Sequence, residues 1–113
     1  MKSHFAGILV TGLAVLGVAI TLHSAPAGDA TAGKDIFTKK CKTCHGADGD
    51  GNPGMAKILN VTFTPLSSEE VQKMSDDDIK KIITDGKGKM KPVKDLTDGD
   101  KDNVIAFVRT LKK

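Results

Sequence analysis

The sequence predicts an all-α domain of three to five helices joined by long loops, and three observations carry that expectation. Apolar residues near the C-terminus recur at helical spacing, as Val104, Ile105, Phe107, Val108 and Leu111. Capping residues stand ahead of the helical stretches: Thr31, Ser67, Ser75 and Thr97. No convincing strand pair is present; residues 61–66 are apolar but isolated, and Pro65 makes them a packed loop.

The elements follow in order. Residues 32–42 form a first helix, capped by Thr31, with Ile36 and Phe37 on its apolar face and lysines over the rest. Gly46-Ala47-Asp48-Gly49-Asp50-Gly51-Asn52-Pro53-Gly54 cannot continue a helix and reads as a tight loop, followed by one turn over 55–59. Ser67 and Glu70 have capping-box spacing and open a short helix through residue 73. Ser75 caps the next helix, with Asp76, Asp77 and Asp78 suited to its positive end, a stripe of Ile79, Ile82 and Ile83, and Gly86 as its stop. An irregular loop over 85–96 holds Met90 and Pro92, and Thr97 caps a last helix over 98–111. Loops of this length are unusual in so small a domain, unless they wrap something.

The first 27 residues stand apart. Met1-Lys2-Ser3-His4 is a short positive start, residues 5–22 carry no charge and are mostly apolar, and Ala25-Pro26-Ala27 has the small-residue spacing of a signal-peptide cleavage site. Residues 1–27 are therefore expected to be a secretory signal, cut after Ala27, with Ala30 as the second choice. An apolar run of this length also sits at the lower edge of what spans a bilayer, so an uncut anchor is the alternative. Residues 28–113 form the domain, and its expected location is the periplasm.

That domain has neither Trp nor Tyr, and of the four phenylalanines only Phe37, Phe63 and Phe107 belong to it. A domain this small buries little apolar surface and needs a staple. The two cysteines, Cys41 and Cys44, are too close in sequence for a disulfide between them to constrain much. The residue after them decides their use. Cys41-Lys42-Thr43-Cys44-His45 is a Cys-x-x-Cys-His signal for covalent haem c: the thiols bond one edge of the porphyrin, and the adjacent imidazole bonds the iron. A thioredoxin-like pair would need a βαβ setting, and a zinc site two more ligands; the other histidines, His4 and His23, lie in the leader.

An electron carrier uses a sixth ligand on its iron, and methionine sulfur raises the reduction potential. Met55, Met74 and Met90 are the candidates. Met55 follows His45 by ten residues, on the chain leaving the motif, and Met74 precedes three aspartates at a helix junction. Met90 lies in Gly86-Lys87-Gly88-Lys89-Met90-Lys91-Pro92, among lysines and glycines where core filler makes little sense, and is the expected ligand.

These residues resemble the class I c-type cytochromes, small all-helical monohaem proteins, over residues 32–111. Gly33-Lys34-x-Ile36-Phe37-x-x-x-Cys41-x-x-Cys44-His45-Gly46 is similar to the family's first helix and haem site. Residues 79–86 are similar to its middle helix, and the Met90 loop with Val104-Ile105-Ala106-Phe107-Val108-Arg109 to its ligand loop and last helix. The resemblance implies a cytochrome c-like fold, with Gly33 and Phe37 crossing the last helix at Phe107, the aromatic ring lying directly against the glycine. It also implies a proline carbonyl accepting from the second nitrogen of the ligand histidine, for which Pro53 is the candidate. Propionate partners fall to backbone amides, Lys, Thr or Asn52.

The function expected is outer-sphere electron transfer by an Fe(II)/Fe(III) couple with His45 and Met90 as axial ligands. It is expected not to be an enzyme, and to be a monomer outside the membrane once cut. The rivals are a sensor or peroxidase with an open sixth site, and a fixed subunit of a respiratory complex. Lys and Arg number 17 against 14 Asp and Glu, too slight a surplus for nucleic-acid binding without aromatic platforms. The lysines cluster, however: Lys39, Lys40 and Lys42 flank the motif, and Lys87, Lys89, Lys91 and Lys94 flank Met90. Redox partner proteins with an acidic docking face are the expected partners.

Overall fold

The computed structural model describes Gly7, residues 11–19 and residues 28–113. The proposed cut after Ala27 lies outside the described residues. No helix among them is long and apolar enough to cross a membrane.

Six helical segments follow one another: α1 (Ala30–Lys40), α2 (Lys42–His45), α3 (Pro53–Leu59), α4 (Glu69–Gln72), α5 (Asp76–Asp85) and α6 (Asp98–Thr110). Two are single turns, which is why the count exceeds the three to five expected. The only β-type pairing among the described residues is an isolated bridge between Lys87 and Met90.

Several boundaries differ from expectation for physical reasons. Asp29, not Thr31, caps α1, its carboxylate accepting from the amides of Thr31 and Ala32 at 2.8 and 3.4 Å. The Asp29 amide is itself bonded to Asn103 Oδ1 on α6, so a long-range contact fixes the helix start. Ser68, not Ser67, caps α4, because a turn from Pro65 O to Ser68 N delays the helix by one residue. The expected turn at 55–59 extends back to Pro53, which suits a first helical position, with Asn52 as cap. Ser75 and Thr97 cap α5 and α6 as expected; Thr97 forms a full box with Asp100.

The core is α1 against α6, closed by α5. Phe37, Ile79, Ile83, Val104, Ile105, Phe107 and Val108 form one buried cluster. Phe37 and Phe107 stack at 5.0 Å between centroids, tilted by 56°. At Gly33, what comes close is the α6 backbone rather than an aromatic ring: a β-carbon there would overlap the Asn103 carbonyl. The crossing is thus backbone on backbone, with the rings meeting one turn further on.

Polar bonds tie the short elements to α6. The guanidinium of Arg109 donates to the carbonyls of Gln72 (2.9 Å) and Met74 (2.6 Å) and to Asp76 Oδ1 (2.7 Å). Gln72 Nε2 donates to Leu66 O and Val108 O at 2.8 and 3.0 Å. These bonds satisfy carbonyls at the end of α4 and fix the α4–α5 junction.

Candidate functional site

Helix α1 ends at Cys41, and α2 is the single turn that follows. Its amides point back, His45 N to Cys41 O at 2.9 Å and Cys44 N to Cys41 O at 3.2 Å. Positions 41, 44 and 45 are spaced i, i+3 and i+4, so their side chains share one face of that turn. The glycine-rich loop then folds back under the motif. Gly51 N bonds His45 O, and Asn52 N bonds Cys44 O, both at 2.8 Å. The Asn52 side chain donates to Thr43 O at 3.0 Å while its oxygen caps α3. Asn52 therefore braces the motif against the start of α3 from both ends of its side chain.

Cys41 and Cys44 are not disulfide bonded. Burial, with Cys44 beside it, pushes the Cys41 thiol up to about 11. A thiol–disulfide catalyst depends on the opposite shift. Burial lowers the pKa of His45, which favours the neutral imidazole that a metal ligand must be. Its ring lies 5.8 Å from Phe63 and 6.4 Å from Phe37, centroid to centroid. His45 Nδ1 is the one buried side-chain nitrogen or oxygen among the described residues with no hydrogen-bond partner. Pro53 therefore does not accept from it; Pro53 instead opens α3. The two unbonded thiols and the neutral imidazole on one turn are the donors that a covalently attached, iron-bearing group requires, while Nδ1 is the nitrogen left without a partner. The donor set fits haem c.

The three methionines fall into different settings. Met74 is packed against the core and lines a surface groove of about 250 Å³ with Ile82 and Gly86, so it serves as filler. Met55 is half-buried on α3, where its amide is part of the Asn52 cap. Met90 is half-buried, lies outside the core cluster, and stands in a loop whose backbone is closed by two bonds, Lys87 N to Met90 O and Met90 N to Lys87 O, both 2.9 Å. Lys87, Lys89, Lys91 and Lys94 around it are exposed, as are Lys39, Lys40 and Lys42 around the motif. Sequence reasoning missed the bracing role of Asn52 and the Gln72 and Arg109 bonds. Only Asn52, ahead of Pro53, carried a local signal.

An all-α domain built on a crossing of first and last helices, with paired free thiols and an imidazole on one helical turn, defines a c-type cytochrome. The family described as cytochrome c oxidase, cbb3-type, subunit III matches residues 28–108, and the chain belongs to it. Cytochrome c-554(547) of Halothiobacillus neapolitanus is 33% identical over 91 residues, 76% of this chain and 100% of that protein. Cytochrome c-555 of Methylococcus capsulatus is 33% identical over 97 residues, 81% of this chain and 72% of that protein. Among solved structures, the KustC0563 c-type cytochrome superposes with a TM-score of 0.62 at 32% identity, covering 72% of this chain and 98% of that one. The chain is thus a c-type electron carrier whose cofactor is covalently bound haem c with its iron.

Proposed function

We propose that this is a periplasmic monohaem electron carrier, attached to its haem by Cys41 and Cys44, with His45 and Met90 as the axial ligands of the iron. The observation that carries the reading is the shared face of Cys41, Cys44 and His45 on one turn, together with a closed loop that holds Met90 outside the core. The bound iron supplies a one-electron Fe(II)/Fe(III) couple, tuned upward by a methionine ligand. The cysteines anchor the group, and His45 offers a neutral imidazole. With Met90 in place no open position is left for oxygen or peroxide, which supports a carrier rather than an enzyme or a gas sensor. The signal-like first 27 residues support a location outside the cytoplasm.

Visible absorption of the haem-loaded protein tests the ligands. Sharp, split low-spin bands are expected on reduction, with a weak far-red iron–sulfur band on oxidation. Met90→Leu is expected to abolish the far-red band, lower the potential and admit carbon monoxide. A Met90→Leu protein that keeps the band would move the ligand to Met55 or Met74.

The partner is read from charge. None of Lys39, Lys40, Lys42, Lys87, Lys89, Lys91 or Lys94 takes part in an ion pair among the described residues. Exposed, unpaired ammonium groups flanking the motif and Met90 along the chain would steer an acidic docking face, an effect worth about tenfold or more in association rate at low salt. Lys87, Lys89 and Lys91 changed together to Gln are expected to slow electron transfer to the physiological partner at low salt and to leave it nearly unchanged at high salt. A rate that does not move at low salt would remove the steering role.

A second reading, a fixed subunit of a respiratory complex, is favoured by the description of the family itself. Against it stands a relative that the chain spans completely and that is named simply as a cytochrome c. Recovery of the haem protein from the membrane fraction of its own cells, with residues 1–27 attached, would favour the subunit.

A further inference from the structure

Helix α5 ends where the Met90 loop begins, and the loop comes back to the same turn. Gly86 N donates to Ile82 O at 2.8 Å as the loop leaves, and Val93 N donates to Ile83 O at 2.9 Å as it returns. Ile83 is buried in the core, so both ends of the loop are fastened to a fixed element. Gly86 itself has φ 77° and ψ 172°, a backbone region essentially reserved for glycine. A β-carbon on it would lie 2.5 Å from the Met90 carbonyl oxygen, 2.9 Å from Pro92 Cδ and 3.0 Å from Pro92 N. Gly88, two residues on, also has positive φ (57°), but nothing lies within 4 Å of where its β-carbon would be. Both glycines have positive φ, and only Gly86 has neighbours where a β-carbon would stand.

We propose that Gly86 is a positioning residue for the Met90 ligand: the Met90 carbonyl and the Pro92 ring fold into the space its missing side chain leaves, and this seat fixes where the Met90 sulfur stands. The inference rests on the reading that Met90 binds the iron. Any side chain at position 86 pushes directly on Met90 O, which is the acceptor of the Lys87 amide, so the closed turn opens at the ligand residue itself. Pro92 reinforces the seat from the other side, since its ring cannot rotate away as a flexible side chain would.

The test uses the haem-loaded full domain and compares Gly86→Ala, Gly88→Ala and Met90→Leu. Gly86→Ala is expected to lower the ratio of methionine-bound to open iron by about tenfold or more, read from the far-red band and from tighter binding of added imidazole to the oxidised protein. Gly88→Ala, strained without contact, is expected to keep the band. A Gly86→Ala protein with an unchanged band and unchanged imidazole affinity overturns the proposal, as does equal loss in both glycine variants. Persistence of the band in Met90→Leu is the separate outcome that overturns the ligand reading. Should Gly86→Ala not load haem, hydrogen exchange of the unaltered protein decides. The Lys87 and Met90 amides are expected to be protected about as well as the Gly86 amide, and free exchange of those two would overturn the proposal.

Discussion

Changing Cys41 and Cys44 together to alanine is expected to yield a chain that carries no covalent haem and lacks a fixed tertiary structure. The core explains why. The described residues bury eight apolar side chains, five of them consecutive on α6, and only two of the eight are aromatic. A domain this small that hides so little surface does not offset the entropy of ordering its loops without a staple. No disulfide supplies one, so the covalently attached group does. Pyridine haemochrome absorption of the purified double variant should read zero, and its unfolding by urea should lose cooperativity. Either single variant should retain one thioether and a shifted haemochrome band. A double variant that unfolds cooperatively without haem would show that α1, α5 and α6 suffice, and would reduce the cofactor's role to chemistry alone.

The parts of this fold that were legible in the sequence are those whose causes are local. Ser75 ahead of three aspartates, and Thr97 with Asp100, announce α5 and α6 because a cap and the amides that donate to it lie within four residues. Cys-x-x-Cys-His is legible because one helical turn contains both thiols and the imidazole. The misplaced boundaries have causes outside the capping pattern itself, one distant in sequence and one close by. Asp29 caps α1 while its own amide is held by Asn103, and Ser68 displaces Ser67 because of the turn from Pro65. Asn52 offers its oxygen to α3 and one N–H of its amide group to Thr43, and only the folded loop shows that it braces the motif. The Arg109 bonds to Gln72, Met74 and Asp76 span more than thirty residues and had no sequence signature. The charge pattern around residues 87–94 was visible, but the contact between Gly86 and the Met90 carbonyl was not, since two glycines in one loop look alike until their surroundings are known.

Gly33→Ala is the substitution expected to cost the fold most for its size. Two effects oppose each other. Alanine is the better helix former, by about 1 kcal/mol in a helix interior. Against this, the new β-carbon would overlap the carbonyl of Asn103 and press on Val104 N, which are backbone atoms of α6 with no rotamer to change. The only relief is to move α1 and α6 apart. That movement loosens the Phe37–Phe107 stack and the Asp29–Asn103 bond together. Overpacking a close-fitted interior costs typically 1–3 kcal/mol, and here several contacts yield at once, so the steric term wins at the upper end of that range and a net loss of about 2 kcal/mol is expected. Denaturant unfolding of the haem-loaded variant measures it, with far-UV dichroism as the probe. Because the atoms that crowd Gly33 all belong to α6, the folded fraction should keep its far-red band, which separates this defect from that of Gly86→Ala. A Gly33→Ala protein as stable as its parent would mean that helix propensity had prevailed and that α1 and α6 separate at little cost.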